Sequence, residues 1–331
     1  MSALIPLIIV VGCALLASVA VGAADLRFLF GVVIPGMAFA VFLGGIIIRV
    51  LKWAKAPVPY RIPTTAGQQK ALTWMAHDEL DNPSGTPGVI GRMALEILFF
   101  RSLFRNTNAE VHSDAEKVSH VGTQVLWAAA MVFHWSMLIV VARHFRLFVE
   151  PVPRWVEILQ SLDGFFQIGV PVMFATTVAM IAAVLFLLAR RLIDTKVRFI
   201  SLPTDYFALY LLLGIAVSGA YMRHFSKVDV VQIKEAIAGW ASFSFVTPTG
   251  VGVMYFVHVF LVSVLLVYFP FSKLMHAPGV FLSPTRNLAN NNRVRRHINP
   301  WNPEIVGHTY AEWEEEFRDK LEASGYELEG K

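Results

Sequence analysis

Six runs of apolar residues, each long enough for a helix to cross a lipid bilayer, constrain the fold of this chain more than any other feature. Inside a bilayer every backbone polar group must find its partner within the protein, and a helix of about 20 residues achieves this by itself. The runs therefore predict an all-α fold, a polytopic membrane helical bundle with six transmembrane helices. They lie at about Leu4–Ala23, Phe28–Leu51, Val118–Val149, Phe165–Arg190, Thr204–Met222 and Gly250–Met275.

The low fraction of charged residues is typical of a membrane protein, and the distribution of Lys and Arg predicts its orientation. Charged residues make up 16% of the 331 residues, whereas soluble proteins carry about 25%. If the six runs alternate in direction, 21 of the 28 Lys and Arg residues fall on one side. Cytoplasmic loops are the ones enriched in Lys and Arg, so both termini are expected in the cytoplasm and the protein in the cytoplasmic (inner) membrane. The net charge of +4 reflects these anchoring loops, and no nucleic-acid partner is expected.

The runs divide the chain into four predicted regions. The first run is interpreted as a retained helix and not a signal peptide, because no Lys or Arg precedes it and a second run follows at once. The regions are two N-terminal transmembrane helices (1–51), a cytoplasmic loop with amphipathic helices (52–117), a four-helix core (118–279) and a cytoplasmic C-terminal tail (280–331). Outside the membrane, the predicted helices are Ala66–His77, Val89–Phe104 and Tyr310–Ala323.

Four of the ten histidines form two pairs in two of the runs. His134 and His144 are ten residues apart in the third run, and His258 and His276 are 18 residues apart in the sixth. Eighteen residues make five helical turns, so these two rings are predicted on one face, about 27 Å apart along a straight helix. Pro270 is expected to kink that helix between them. A spacing of ten falls about 80° short of whole turns.

Paired imidazoles within a membrane point to a cofactor. An ionisable side chain at that depth is costly and is functional by default. Two helices with two histidines each can supply both axial ligands of two haems, which then transfer electrons and do not bind oxygen. The single cysteine, Cys13, excludes a cysteine-ligated iron–sulfur cluster and covalent haem attachment. The alternatives are a cofactor-free proton-relay transporter and a structural membrane anchor.

Expected depth suggests how the histidines pair. Because the third and sixth runs should cross in opposite directions, His144 lies at the depth of His258, and His134 at that of His276. We call the first two the outer pair and the other two the inner pair. His120 is an alternative to His134 as the partner of His276, because it lies 14 residues before His134 and about 40° from a face common to both. Helical spacing alone leaves this competition open.

Two stretches resemble a known family. The motifs are Phe133-His134, Arg143-His144-Phe145, His258 and the ending Pro270-Phe-Ser-Lys-Leu-Met-His276. They are similar to the gamma subunit of respiratory nitrate reductase, a membrane di-haem cytochrome b, over about Val118 to Gly279. The resemblance implies two b haems whose axial ligands are the outer pair and the inner pair.

The extra helices, loop and tail resemble a more particular group. They look like the membrane cytochrome b subunit of the sulfite-reduction-associated (Dsr) electron-transfer complex. That resemblance implies a menaquinone or quinol substrate, a cytoplasmic iron–sulfur partner like heterodisulfide reductase, and other membrane and periplasmic subunits of a complex of sulfur metabolism. A gamma-type subunit of another quinol-linked reductase, for nitrate or heterodisulfide-like, is the alternative.

A quinol site is expected near the outer pair. Quinol oxidation needs a proton acceptor and a polar anchor. Arg154, Glu157 and Asp163, in the loop after the third run, are the candidates. Arg143 beside His144 is interpreted as an anchor at the interface or as a counter-charge for a haem propionate.

Overall fold

The computed structural model describes residues 2–56, 74, 77–112, 117–166, 172–291 and 307–329. Within these residues six helices are long and apolar enough to cross a membrane, which confirms the predicted helical membrane bundle. Large apolar side chains along them stay exposed, including Ile8, Ile48 and Leu138. Extended apolar surface of this kind is typical of helices that face lipid.

The first two spans are helix α1 (Leu4–Gly22) and helix α2 (Ile34–Ala54), the latter preceded by a π-helical turn at Leu29–Val33. Pro35 sits in the first turn of α2. At that position the missing N–H removes no helical hydrogen bond. The chain therefore enters the second span without a break, as its sequence predicts.

Between the second and third spans, α3 (Thr86–Phe99) and α4 (Arg101–Phe104) meet at a sharp bend. Phe100 joins them with φ 50° and ψ 47°, the left-handed region that few non-glycine residues adopt. The predicted helix at Val89–Phe104 is confirmed apart from this bend. We call α3, Phe100 and α4 the elbow. The predicted helix Ala66–His77 lies almost wholly outside the described residues.

Ion pairs fix the base of the elbow. Arg101 and Arg105 both hydrogen-bond the carboxylate of Asp81. The bond from Arg101, with that from Arg105, holds the pKa of Asp81 below its usual range. The segment before α3 is thereby tied to α4.

A β-hairpin replaces the predicted start of the third span. Strand β1 (Thr107–His112) pairs antiparallel with β2 (Lys117–Gly122), and α5 (Gln124–His144) follows directly. The prediction that the span begins at Val118 was wrong. Residues 117–121, Lys-Val-Ser-His-Val, hold three polar side chains and two β-branched valines, a composition that favours a strand over a membrane helix.

The fourth span also begins later than predicted. The helix α6 (Arg154–Asp163) follows α5, and two short strands, β3 (Gly164–Phe166) and β4 (Met173–Phe174), pair before α7 (Ala175–Ile193). The predicted start at Phe165 was wrong, because a short apolar run does not distinguish strand from helix. Next come α8 (Thr195–Ile200), α9 (Pro203–His224) and α10 (Val230–Ala241).

The sixth span ends earlier than predicted. Helix α11 (Val253–Tyr268) passes into a 3₁₀ turn at Phe269–Phe271, and Ser272 is extended with φ −115° and ψ 178°. Pro270 has no N–H, so helical hydrogen bonding cannot continue through it. The chain therefore breaks where only a kink was expected.

After the break come a 3₁₀ turn at Lys273–Met275, the short helix α12 (His276–Gly279) and the short helix α13 (Pro284–Asn287). His276 begins α12 and does not belong to α11. The prediction that His258 and His276 lie on one helix, kinked at Pro270, was therefore wrong.

The spanning helices pack in a row. Helix α5 packs on α7, α7 on α9, and α9 on α11, while α1 and α2 cover the other side of α11. One buried apolar cluster joins α1, α9 and α11 and includes Val10, Leu211 and Phe256. A second joins α5, α7 and α9 and includes Phe133 and Val184.

The start of the tail folds against the loop between the second and third spans. The backbone N–H of Asn290 donates to the carbonyl of Pro83 at 2.7 Å, and Arg286 lies 3.5 Å from Glu96. Farther along, α14 (Tyr310–Ala323) confirms the predicted terminal helix. Thr309 caps it, as the Thr-x-x-Glu pattern predicts.

Candidate functional site: two histidine pairs and an arginine-lined cavity

The inner pair comes together at the break that follows α11. The ring centroids of His134 and His276 lie 6.0 Å apart, and the ring planes meet at 80°. His134 is in the middle of α5, and its Nδ1 donates to the carbonyl of Ala130 at 2.8 Å. The Nδ1 of His276 donates to the carbonyl of Lys273, also at 2.8 Å. Each ring is thus held by its own chain segment.

This geometry suits two ligands of one metal. A carbonyl oxygen only accepts hydrogen bonds, so each ring carries its proton on Nδ1 and keeps a free lone pair on Nε2. Metal–imidazole bonds are about 2.0–2.1 Å long, which places the centroids of two opposed rings about 6 Å apart. The observed 6.0 Å fits that value, so the inner pair suits the axial ligation of a haem iron.

The outer pair is held differently. His144, the last residue of α5, donates from Nδ1 to the carbonyl of Val140 at 2.7 Å. His258, in the second turn of α11, uses its Nδ1 in a 2.9 Å hydrogen bond with Ser218 Oγ on α9. The two imidazoles lie close enough to interact electrostatically. Here too Nδ1 is engaged on both rings, which leaves Nε2 for a metal.

Helix packing leaves the right place for a flat cofactor. Among the described residues, α5 packs closely on α7, and α11 packs closely on α9, α1 and α2, so α5 and α11 are not closely packed on each other. They, with the turn after α11, carry all four paired histidines. The flat, apolar ring of a porphyrin suits such an interval, because the ring can be satisfied by packing.

The elbow packs against α5 beside the inner pair. The ring of Phe100 lies 5.0 Å from that of His134. The indole N–H groups of Trp127 and Trp135 donate to the last carbonyls of α3, at residues 99 and 98, over 2.7 and 3.1 Å. These carbonyls have no helical partner, and at membrane depth they need one. The tryptophans therefore fix the elbow next to the inner pair.

His120 is brought to neither pair. It lies on β2, opposite Ala109 of β1, and its side chain is exposed. The sequence left its role open because the helix containing His134 was expected to extend back to it. The strand at this position removes the helical spacing on which that competition rested.

Asp163 lies in a buried network at the outer end of the bundle. Its carboxylate accepts from the N–H of Thr176 at 2.8 Å and from the Thr176 hydroxyl at 2.6 Å. The guanidinium of Arg143 lies 3.1 Å from this carboxylate. The side chains of Asp163 and Arg143 are 4% and 8% exposed, respectively. Arg143 also donates to Thr177 at 3.0 Å. Arg143 thus points into the protein, toward Asp163, and not out to the interface.

A second arginine joins this network through an aromatic ring. The guanidinium of Arg143 lies 3.7 Å from the ring centroid of Phe174, and that of Arg223 lies 4.1 Å from it. Arg223 also donates to the carbonyl of Val172 at 3.0 Å. Two cations on one ring concentrate positive charge beside His144.

An open cavity of about 600 Å³ adjoins this positive charge. Its lining includes Arg146, Glu157, Gln160, Phe174 and Arg223. It is a mixed surface of charged, amide and aromatic groups, more polar than a typical small-molecule site. The cavity can hold a ring with polar oxygens.

The three residues predicted for the quinol site have different surroundings. Glu157 lines the cavity, Arg154 is exposed at the first position of α6, and Asp163 is engaged with Arg143. Sequence reasoning missed the lining residues Arg146, Gln160 and Arg223. Arg223 could have been identified from the sequence, because it is a basic residue in the last turn of an apolar run.

Six membrane-length helices within the described residues define an integral membrane protein, and two histidine pairs lie in or beside them. The family described as nitrate reductase gamma subunit matches residues 88–297, and this chain belongs to that family. The matched region contains all four paired histidines. The resemblance seen in the sequence is thereby confirmed.

Curated relatives extend the match. Proteins named Hdr-like menaquinol oxidoreductase cytochrome b-like subunit are 43% identical in Archaeoglobus fulgidus and 38% identical in Archaeoglobus profundus. The alignments cover 84% and 82% of this chain, and 85% and 82% of the relatives. The nitrate reductase gamma chain of Bacillus subtilis is 23% identical over 63% of this chain and 96% of its own length. The archaeal similarity thus extends beyond the region that the family covers.

Proposed function

We propose that this chain is the cytochrome b subunit of a menaquinol oxidoreductase complex, with one b haem held by the inner pair and one by the outer pair. The observation that carries the proposal is that all four imidazoles engage Nδ1 and leave Nε2 available, with the inner rings 6.0 Å apart. The family and the names of the archaeal relatives support it. When bound, b haems with two axial imidazoles supply one-electron transfer.

The proposed quinol site is the cavity beside α6. Glu157 would accept a quinol proton, since a carboxylate is a suitable base when it reaches the hydroxyl. Arg146 and Arg223 would bind a quinol oxygen. Of the other two residues expected from the sequence, Arg154 would act as an exposed anchor at the start of α6, and Asp163 would hold Arg143 in place.

The proposed partner is a cytoplasmic iron–sulfur subunit of the heterodisulfide-reductase type, within a complex of sulfur metabolism. It would bind the loop and the tail, with both termini in the cytoplasm of a cell whose inner membrane holds the helices. The contacts of Asn290 with Pro83 and of Arg286 with Glu96 support one continuous docking surface. The second candidate is a nitrate-reductase-type partner, which the Bacillus subtilis relative favours.

The haem proposal is tested by a pyridine-haemochrome assay and a reduced-minus-oxidised spectrum of the purified chain. We expect two b haems per chain. His134→Ala or His276→Ala should remove one, and His144→Ala or His258→Ala the other. His120→Ala is the control and should keep both. A chain with one haem or none would contradict the proposal, as would loss of a haem in His120→Ala.

The quinol site is tested by the rate at which a menaquinol analogue reduces the haems. Glu157→Gln should slow reduction strongly with unchanged haem content, because Gln cannot take the proton. Glu235→Gln, an exposed carboxylate on α10 outside the cavity lining, is the matched control. Reduction of the Glu157 variant at the native rate would remove the cavity from the proposal.

The docking surface is tested by truncation after Asn291, which keeps the contacts of Asn290 and Arg286 and removes α14. The truncated chain should retain both haems and lose its soluble partner during purification. Mass spectrometry of the partner bound to the full chain distinguishes the heterodisulfide-reductase type from the nitrate-reductase type. Full retention of the partner by the truncated chain would exclude the tail helix from docking.

A further inference from the structure

His258 differs from the other three paired histidines in the source of its hydrogen bond. His134, His144 and His276 donate to a carbonyl three or four residues earlier in the same segment. The Nδ1 of His258 instead meets a hydroxyl on a neighbouring helix, Ser218 Oγ of α9, at 2.9 Å. Its orientation therefore depends on the packing of two helices.

The hydroxyl of Ser218 has two neighbours. Ser218 is 6% exposed, and its Oγ donates to the carbonyl of Ile215 at 3.0 Å, a carbonyl that also interacts with the His258 ring. With its proton given to Ile215, the Oγ accepts the hydrogen bond from His258. That bond places the imidazole proton on Nδ1 and the lone pair on Nε2.

The next residue provides the space for the ring. A Cβ on Gly219 would lie 3.2 Å from Cε1 of His258, closer than an ordinary van der Waals contact. Ser218 and Gly219 together thus hold the ring by a hydrogen bond on one side and a close approach of helix backbone on the other.

We propose that Ser218 and Gly219 form a socket on α9 that positions His258 and sets the reduction potential of the outer haem separately from that of the inner haem. The inference rests on the proposed ligation of haem by the outer pair. Partners of the distal imidazole nitrogen fix the tautomer and ring orientation of a metal-bound histidine and raise its basicity. Ser218 is therefore a positioning residue that acts through His258.

The direction of its effect follows from charge. An acceptor at Nδ1–H makes the imidazole a stronger electron donor, which favours the ferric state over the ferrous state. Removal of the acceptor should therefore raise the midpoint potential. The inner haem, whose ligands donate to backbone carbonyls, should not respond.

The test is a potentiometric titration of both haems in the full-length protein with Ser218→Ala. We expect an upward shift of the outer haem alone, with haem content unchanged. Ser218→Thr keeps the hydroxyl and should stay near the native potential. Ser263→Ala is the matched control, because Ser263 is buried on α11 and bonds only its own helix, at Val259.

An outer potential that is unchanged or lowered in Ser218→Ala would overturn the inference, as would an equal shift of both haems or in the Ser263 control. Equal shifts in the Ala and Thr variants would also overturn it, because the hydroxyl would then not be the cause. Failure of the proposed function is a separate result, since it shows as fewer than two haems in the native chain before any Ser218 variant is made.

Discussion

The inner and outer pairs have the same chemistry and opposite kinds of support. The outer pair lies within continuous helices, and one of its rings is held across the interface of α9 and α11. In the inner pair His276 lies beyond the end of its helix, in a series of short turns, and both rings are held by their own segments. The outer geometry is thus set by helix packing, whereas the inner geometry is set by whatever holds the turns in place.

Two neighbours hold those turns and the ring opposite them. Helix α2 packs on the turn that follows α11, where Phe42 and Phe269 lie 5.4 Å apart and Gly45 faces Pro270. The elbow packs on α5 and brings Phe100 to His134. Helix α2 therefore supports the inner pair even though it lies outside the family match of residues 88–297.

The largest effect is expected from Gly45→Ala. A Cβ at this position would lie 2.6 Å from Cβ of Pro270, which belongs to a rigid ring. Overpacking of this kind costs about 1–3 kcal/mol, and the displaced turn carries His276. We expect loss of the inner haem and retention of the outer one, measured by haemochrome assay and redox titration. Gly44→Ala, whose Cβ would have nothing within 4 Å, is the adjacent control and should keep both.

Gly219→Ala is the corresponding substitution beside the outer pair. The added methyl would press on Cε1 of His258 at 3.2 Å, and the imidazole can yield only by turning away from Ser218. Disturbed support of a metal ligand lowers metal affinity about 10- to 100-fold. Outer-haem content should fall and inner-haem content should not. Gly214→Ala makes ordinary contacts of 3.5 Å and serves as control. Loss of the inner haem in the Gly219 variant would refute the separation of the two supports.

A smaller effect is expected from replacing both Trp127 and Trp135 with Phe. Two carbonyls at the end of α3 would lose their donors, at a cost of about 1–3 kcal/mol for each group left unpaired away from water. The elbow should loosen and the inner haem should become easier to extract, as followed by its loss on detergent dilution. Trp155→Phe, an exposed tryptophan on α6, is the control. Equal loss of both haems would mean that the elbow supports the whole bundle.

The sequence predicted the features that a single segment determines. Each apolar run forms its helix because the bilayer leaves the backbone no other solution. The tail helix begins at Thr309 because its capping pattern is local. The candidate ligands were likewise visible, since an imidazole within an apolar run stands out from its surroundings.

Contacts between segments were not predictable in this way. Nothing in the run around Ser218 indicates that its hydroxyl faces His258, because that depends on how α9 and α11 cross. The burial of Asp163 beside Arg143 depends on where α6 folds back, so the sequence presented Asp163 as a free carboxylate. The strand at β2 was missed because its two valines were assigned to the apolar run. The break at Ser272 was missed because Pro270 was expected only to kink the helix.

The smallest expected effect is spectroscopic. It distinguishes the two pairs by the angle between the imidazole planes of each. The imidazole planes of His134 and His276 meet at 80°. Nearly perpendicular axial imidazoles leave two iron orbitals almost equal in energy, which gives a strongly anisotropic low-spin EPR signal in the ferric state. The oxidised protein should show this signal, and His134→Ala should remove it while His144→Ala retains it. The outer haem, whose His258 plane is set by Ser218, should change its own signal in Ser218→Ala and leave the inner signal as it was. A signal typical of parallel planes that disappears in His134→Ala would mean that the inner rings turn when haem binds, and their support would then be weaker than that of the outer pair.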